Sequence, residues 1–152
     1  MKQVCLAFGL LLICGVVEAS KGVYLISKRQ VSDSTHTHVA LFFDRDVRDL
    51  SDCETEVQRG YRGRWRYFHH KYPKIAGTAE KLNYYCVKAD LDVNAWYSKA
   101  PYDYMYQFDL RSSDPKIKEM SNYATCLKDL RRRVGRETPR FFCAKLSQKI
   151  VF

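Results

Sequence analysis

The sequence predicts an α+β protein: a single disulfide-stapled domain in which two main helices pack on one face of an antiparallel sheet. Segments rich in β-branched and aromatic residues recur along the chain, two other segments carry helix-capping residues, and four cysteines remain after an N-terminal leader is set aside. The predicted elements follow one another as hairpin, helix, hairpin, helix and strand.

The N-terminus has the features of a secretory signal peptide at residues 1–19. Lys2 supplies a basic start, residues 4–17 are apolar throughout, and Val17 and Ala19 precede a suitable cleavage point. The apolar run is shorter than the roughly 20 residues that span a bilayer. We therefore expect a secreted, extracellular protein with no membrane span, which consists of one globular domain at residues 20–152.

The first hairpin and helix follow this leader. Residues 22–31 and 36–43 are rich in β-branched and aromatic side chains and flank a polar turn, which predicts two paired strands. Asp49 or Ser51 can then cap a helix that carries Cys53.

Three further segments have the composition of strands. Residues 82–91 are rich in aromatic and β-branched residues, and residues 102–108 alternate aromatic with other side chains, so these two are expected to form the second hairpin. The final strand is expected within residues 140–152.

A second helix is predicted from residues 113–115, which supply a capping residue and a proline at the first helical position. Three arginines at 131–133 fall in its last turn, and Gly135 is a suitable C-cap. The apolar residues at helical spacing are Ile117, Met120, Ala124, Leu127 and Leu130.

Four cysteines remain after cleavage and are expected to form two disulfides, for which three connectivities exist. Each helix carries one cysteine and each following strand carries another, an order that favours Cys53 with Cys86 and Cys126 with Cys143. Each bridge is expected to contribute about 2 to 4 kcal/mol. The similar segments 84–88 and 141–145, an aromatic pair followed by Cys, a small residue and Lys, suggest an internal duplication.

The chain is strongly basic, with a formal net charge of +9. Cations alternate with aromatic residues in one stretch, residues 59–74, and arginine pairs well with sulfate, phosphate and carboxylate groups. A second basic cluster lies at the end of the second helix. The candidate binding residues are Arg59, Arg62, Arg64, Trp65, Arg66, Lys71, Lys74, Arg131, Arg132 and Arg133.

A structural interpretation of the same stretch is also open. Tyr61, Trp65 and Phe68 have the spacing of one helix face, so they are expected to anchor the stretch on the core while its cations face solvent. Surface charge that serves only solubility is the plainest alternative.

The four histidines permit, but do not favour, an enzyme. His36 and His38 share one face of a strand, where two imidazoles can bind a metal, and His69 and His70 are candidate acid–base groups of a nuclease. No third ligand or catalytic motif accompanies them. We therefore predict a non-enzymatic protein with no cofactor and no metal site.

Seven tyrosine and tryptophan residues between positions 84 and 106 form another candidate surface. Such residues are common at protein interfaces, and they are equally common as half-buried residues of sheets. They are Tyr84, Tyr85, Trp96, Tyr97, Tyr102, Tyr104 and Tyr106.

The leader, small size, four cysteines, basicity and abundant tyrosine together resemble the small salivary effectors of blood-feeding flies. The resemblance implies a monomeric vasodilator or anti-haemostatic protein that binds a host receptor, a channel or an anionic polymer. Two alternatives stay open: a heparin- or polyanion-binding anticoagulant, and a secreted nuclease.

Overall fold

The computed structural model describes residues 21–31, 37–68, 80–97 and 99–151. The predicted signal peptide, residues 1–19, lies outside these ranges. Eight strands and two helices are described. They are β1 Gly22–Val31, β2 Thr37–Phe43, α1 Leu50–Tyr61, β3 Glu80–Ala89, β4 Asp92–Val93, β5 Tyr104–Asp109, β6 Lys116–Met120, α2 Tyr123–Val134, β7 Phe141–Leu146 and β8 Ile150–Val151.

The main sheet has six strands in the order β3-β1-β2-β7-β5-β6, and β4 pairs separately with β8. The α+β class is therefore confirmed, but the sheet is mixed, because β2 and β7 run parallel. The prediction of an antiparallel sheet is wrong at this contact. Alternation of side chains predicts that a segment is a strand, but it does not predict whether that strand runs parallel or antiparallel to its neighbour. The connection between β2 and β7 is long enough to allow parallel pairing.

The two halves of the sheet have the same topology. In each half a hairpin is followed by a helix and by a third strand, which returns to pair antiparallel with the first strand of the hairpin. The first half contains β1, β2, α1 and β3, and the second contains β5, β6, α2 and β7. A duplication of the sequence itself stays a prediction.

The second hairpin differs from the prediction. β3 pairs with β1, and the partner of β5 is β6, a segment for which the sequence predicts helix. Ile117 pairs with Phe108 and packs on the central core, whereas Met120 packs beside α2. Ile117 and Met120 thus form a strand paired with β5, although their spacing is that of a helix.

Both helices begin at a residue whose side chain caps the first turn. Asp49 accepts the backbone N–H of Asp52, and Asn122 accepts that of Thr125, so α2 begins later than its predicted start at residues 113–115. Gly135, with φ 80°, ends α2 as predicted. Neither helix is long and apolar enough to cross a membrane, within the part of the chain that the structure describes.

A central core takes residues from all six strands of the main sheet, so the sheet curls around it. α1 packs on a second cluster that contains Val23 and Leu25 of β1, and α2 packs on a third that contains Phe141 of β7. The helices thus cover separate clusters, and their placement on one face stays a prediction.

The edge strand β3 also contacts the segment that precedes β7. The hydroxyl of Tyr85 on β3 donates a hydrogen bond of 2.9 Å to the carbonyl of Pro139, which precedes β7. A cavity of about 560 Å³ lies between α1, β3 and residues 110–115.

Two disulfides pin the helices to the sheet, and they join the cysteines that the sequence order favours. Cys53 of α1 is bonded to Cys86 of β3, and Cys126 of α2 is bonded to Cys143 of β7. With separations of 33 and 17 residues, the loss of chain entropy in the unfolded state corresponds to about 3.7 and about 3.1 kcal/mol.

Candidate functional site

The best-defined basic surface is the turn that ends α1, residues 59–66, called here the basic turn. Gly63 has φ 70°, and the N–H groups of Gly63 and Arg64 bond to the carbonyls of Gly60 and Arg59, both at 2.9 Å. This pair of hydrogen bonds is a Schellman motif, for which glycine is preferred at the left-handed position. The chain therefore leaves the helix in a fixed direction.

A buried carboxylate holds the far side of the turn. Glu56 of α1 is 0% exposed, and its Oε1 accepts the backbone N–H groups of Arg66 and Tyr67, the latter at 2.8 Å. Its Oε2 lies 3.5 Å from Nη1 of Arg59. Charge-assisted hydrogen bonds to Glu56 thus fasten the backbone of residues 66 and 67 to α1.

Aromatic residues anchor the basic turn, though not all those predicted. Phe68 is buried and Trp65 half-buried, but Tyr61 is 60% exposed. The prediction for Tyr61 is wrong because α1 ends at this residue, so helical spacing does not extend to Trp65. Instead, Trp65 folds back onto Gly60, where an added Cβ would lie 2.1 Å from the indole ring.

Tyr84 of β3 links these aromatic rings to the sheet. Its ring makes edge contacts with Tyr61 and Trp65, each with 5.3 Å between ring centroids. Burial raises the pKa of Tyr84 to about 12, so this phenol stays neutral at physiological pH.

Three arginines of the basic turn are exposed to solvent. Arg62, Arg64 and Arg66 are all exposed, and the Arg66 guanidinium lies 5.1 Å from the ring centroid of Tyr67. Arg66 and Arg59 also line a shallow cavity of about 510 Å³. The other residues that line this cavity are two acidic, one basic and two uncharged: Asp46, Asp52, Arg48, Thr55 and Tyr67.

The second basic cluster is in a different electrostatic state. Nη2 of Arg132 and Nε of Arg133 lie 2.8 and 3.0 Å from the carboxylate of Asp129, so two of the three arginines share one neutralising partner. Arg131 is exposed. This cluster and the basic turn lie on separate helices that pack on different strands.

The Asp129 carboxyl is held ionised by its surroundings. Burial works to raise its pKa, but hydrogen bonds from Gln107 and Arg132 and the charge of Arg133 outweigh burial and lower the pKa below its ordinary value. The carboxylate therefore keeps its negative charge at physiological pH.

Several predicted site residues lie outside the described ranges: Lys71, Lys74, His36, His69 and His70. His38 is described, and its ring stacks on Tyr102 with 4.1 Å between centroids. Within the described residues, His, Cys, Asp and Glu form no group of three that could hold a metal ion.

The tyrosine-rich run divides between core and surface. Tyr106 is fully buried, and its hydroxyl accepts the backbone N–H of Ile150 at 2.9 Å. Tyr97 is 61% exposed, and Tyr84 and Tyr85 are half-buried. The run is therefore mainly a set of sheet residues rather than one surface.

Three buried charged residues were missed by the sequence reasoning, Lys28, Arg29 and Glu56. A signal exists for Glu56 and Lys28. Glu56 stands at helical spacing from Cys53, on the apolar side of α1, and Lys28 continues the alternation of Tyr24 and Ile26 along β1. A charged residue at a core position is the feature to look for.

Comparison with known proteins adds no relative: no family model, no curated protein and no solved structure matches the chain.

Proposed function

We propose that this protein is a secreted, non-enzymatic effector that binds an anionic host partner through the basic turn and thereby dilates vessels or opposes haemostasis. The single observation that carries the proposal is the fastening of this turn, by the Schellman hydrogen bonds and by buried Glu56, with Arg62, Arg64 and Arg66 left exposed.

A fixed backbone favours binding because less conformational entropy is lost when the partner arrives. Arginine also presents planar donors that match carboxylate, sulfate and phosphate groups in pairs. An exposed, pre-ordered set of arginines is therefore better suited to a specific anionic partner than a flexible basic tail of equal charge. The net charge of +9 adds long-range attraction that salt weakens.

The vascular part of the proposal rests on the resemblance to salivary effectors of blood-feeding flies, among them the black-fly erythema protein, a vasodilator. The two disulfides support secretion, because such bonds persist in oxidising compartments.

A polyanion-binding anticoagulant is the second candidate, and the presence of two arginine clusters on separate helices favours it. A long polymer such as heparin can contact both clusters at once, and linked contacts strengthen binding beyond either alone. A compact receptor needs only one of them.

The decisive experiment applies the purified protein to pre-constricted vessel rings and to a clotting-time assay. The test variant combines Arg62→Ala, Arg64→Ala and Arg66→Ala. The control combines Arg131→Ala, Arg132→Ala and Arg133→Ala, which removes the same charge from the other cluster. We expect the test variant to lose dilation or anticoagulation while the control keeps it.

Full potency of the test variant in both assays would contradict the proposal. A heparin column run on the same samples separates the candidates. Clotting inhibition with equal loss of heparin retention in both variants supports the polyanion candidate, whereas retention no stronger than that of a protein of matched charge eliminates it.

A further inference from the structure

Lys28 is a charged residue at a core position where the fold does not require a charge. It follows Tyr24 and Ile26 on the same side of β1, and its side chain is 8% exposed. In the second half of the chain, Leu110 occupies the position that corresponds to Lys28. Lys28 pairs with Asn83 of β3, and the N–H of Leu110 bonds to the carbonyl of Arg140, the residue that corresponds to Asn83. The fold therefore accepts an apolar residue at this position.

The ammonium of Lys28 rests on an aromatic ring, with Nζ 3.8 Å from the ring centroid of Phe142. A cation over an aromatic face gains some electrostatic stabilisation, but far less than water provides. Burial accordingly lowers the pKa of Lys28 to about 8; the charge of Glu137 opposes this shift and that of Lys81 adds to it.

A cavity of about 280 Å³ opens beside Lys28, close to the lower size limit of pockets for small ligands. Lys81 and Asn83 of β3 and Gln30 of β1 line it together with Lys28, so its lining residues carry two ammonium groups and two amides that can donate hydrogen bonds. Glu137 lines it as well, but Oε1 of its carboxylate accepts the N–H of Cys143 at 2.9 Å.

We infer that this cavity binds a small oxyanion, of the size of phosphate or a short carboxylate, with Lys28 as its principal contact and Lys81 and Asn83 as further donors. The anion supplies the opposite charge that a buried ammonium needs, and it replaces the hydration that Lys28 loses on folding. This site is separate from the basic turn and does not depend on the proposed function.

The first test leaves the protein unmutated. The pKa of Lys28 is followed by NMR of its Cε and Nζ resonances, in inorganic phosphate and in sodium chloride of equal ionic strength. We expect phosphate to raise this pKa by about one unit or more, as a nearby opposite charge does. The NMR resonances of exposed Lys99 serve as the internal control and should be the same in both salts. An unchanged pKa of Lys28 in phosphate and in a parallel titration with propionate would overturn the inference.

The second test measures the affinity for inorganic phosphate and for propionate by calorimetry. Lys28→Met should weaken binding by about tenfold or more, the effect of one lost charge-assisted hydrogen bond. Lys99→Met should bind as the wild type does, and the Arg62, Arg64, Arg66 alanine variant measures any separate binding at the basic turn. Binding that is lost in the arginine variant and kept in Lys28→Met would refute the site and assign the anion to the basic turn.

Discussion

The two halves of the chain place corresponding residues in corresponding positions, yet they use the ends of their helices differently. In both, a capping residue precedes the bonded cysteine by one helical turn: Asp49 precedes Cys53, and Asn122 precedes Cys126. The register also matches Tyr24 of β1 with Tyr106 of β5, and both hydroxyls bond to backbone after the third strand, at Leu91 and Ile150.

The difference lies in what the acid three residues after the cysteine of each helix holds. Glu56 and Asp129 stand at the same distance after the cysteine, and each pairs with an arginine one turn later. Glu56 also accepts two backbone N–H groups from the stretch beyond α1, whereas Asp129 pairs with Arg132 and Arg133 on its own helix and accepts a side-chain hydrogen bond from Gln107 of β5. One helix end thus presents fixed, exposed arginines, and the other presents arginines that are partly neutralised.

Removal of the disulfides should have the largest effect and should differ between the halves. We expect Cys53→Ala with Cys86→Ala to lower the free energy of unfolding by about 3.7 kcal/mol, and Cys126→Ala with Cys143→Ala by about 3.1 kcal/mol, because the first bridge closes the longer loop. Urea denaturation of the three proteins measures both losses. A larger loss in the second half would show that strain or packing outweighs loop length.

Glu56 and Asp129 provide a sharper comparison. Glu56→Ala leaves two backbone N–H groups without their acceptor, and we expect it to cost about 3 kcal/mol of stability. Asp129→Ala removes pairs with exposed arginines and one hydrogen bond from Gln107, and we expect a smaller cost of about 2 kcal/mol. Thermal unfolding measures both, with Glu54→Ala on the exposed side of α1 as the control. Equal losses in the two variants would contradict the distinction between the helix ends.

Lys28 and Leu110 break the correspondence, and pH should reveal the consequence. The pKa of Lys28 is lowered to about 8 from 10.5, so the folded state releases this proton before the unfolded state does. The free energy of unfolding should therefore gain a contribution as pH rises from about 8 to about 10.5. The free energy of unfolding of the wild type minus that of Lys28→Leu should therefore increase over this pH range, because the variant lacks the titrating group. A difference that stays constant across this range would show that Lys28 titrates normally.

Local patterns in the sequence predict much of this fold because they reflect short-range physics. The first hairpin follows from β-branched and aromatic composition, the α1 cap from Asp49, and the end of α2 from Gly135. The disulfide partners follow from the order of helix and strand. These features depend on neighbours along the chain, so the residues themselves carry the information.

The tertiary structure decided the rest. It paired residues 116–120 with β5 against their helical spacing, set β2 parallel to β7, and left Tyr61 60% exposed. The candidate site shows the same division: composition predicts the arginines of residues 59–66, but only contacts across the fold give Glu56 its role. Sequence patterns indicate strands and helix ends locally, whereas strand pairing and the partners of buried charges depend on segments that are distant in the chain.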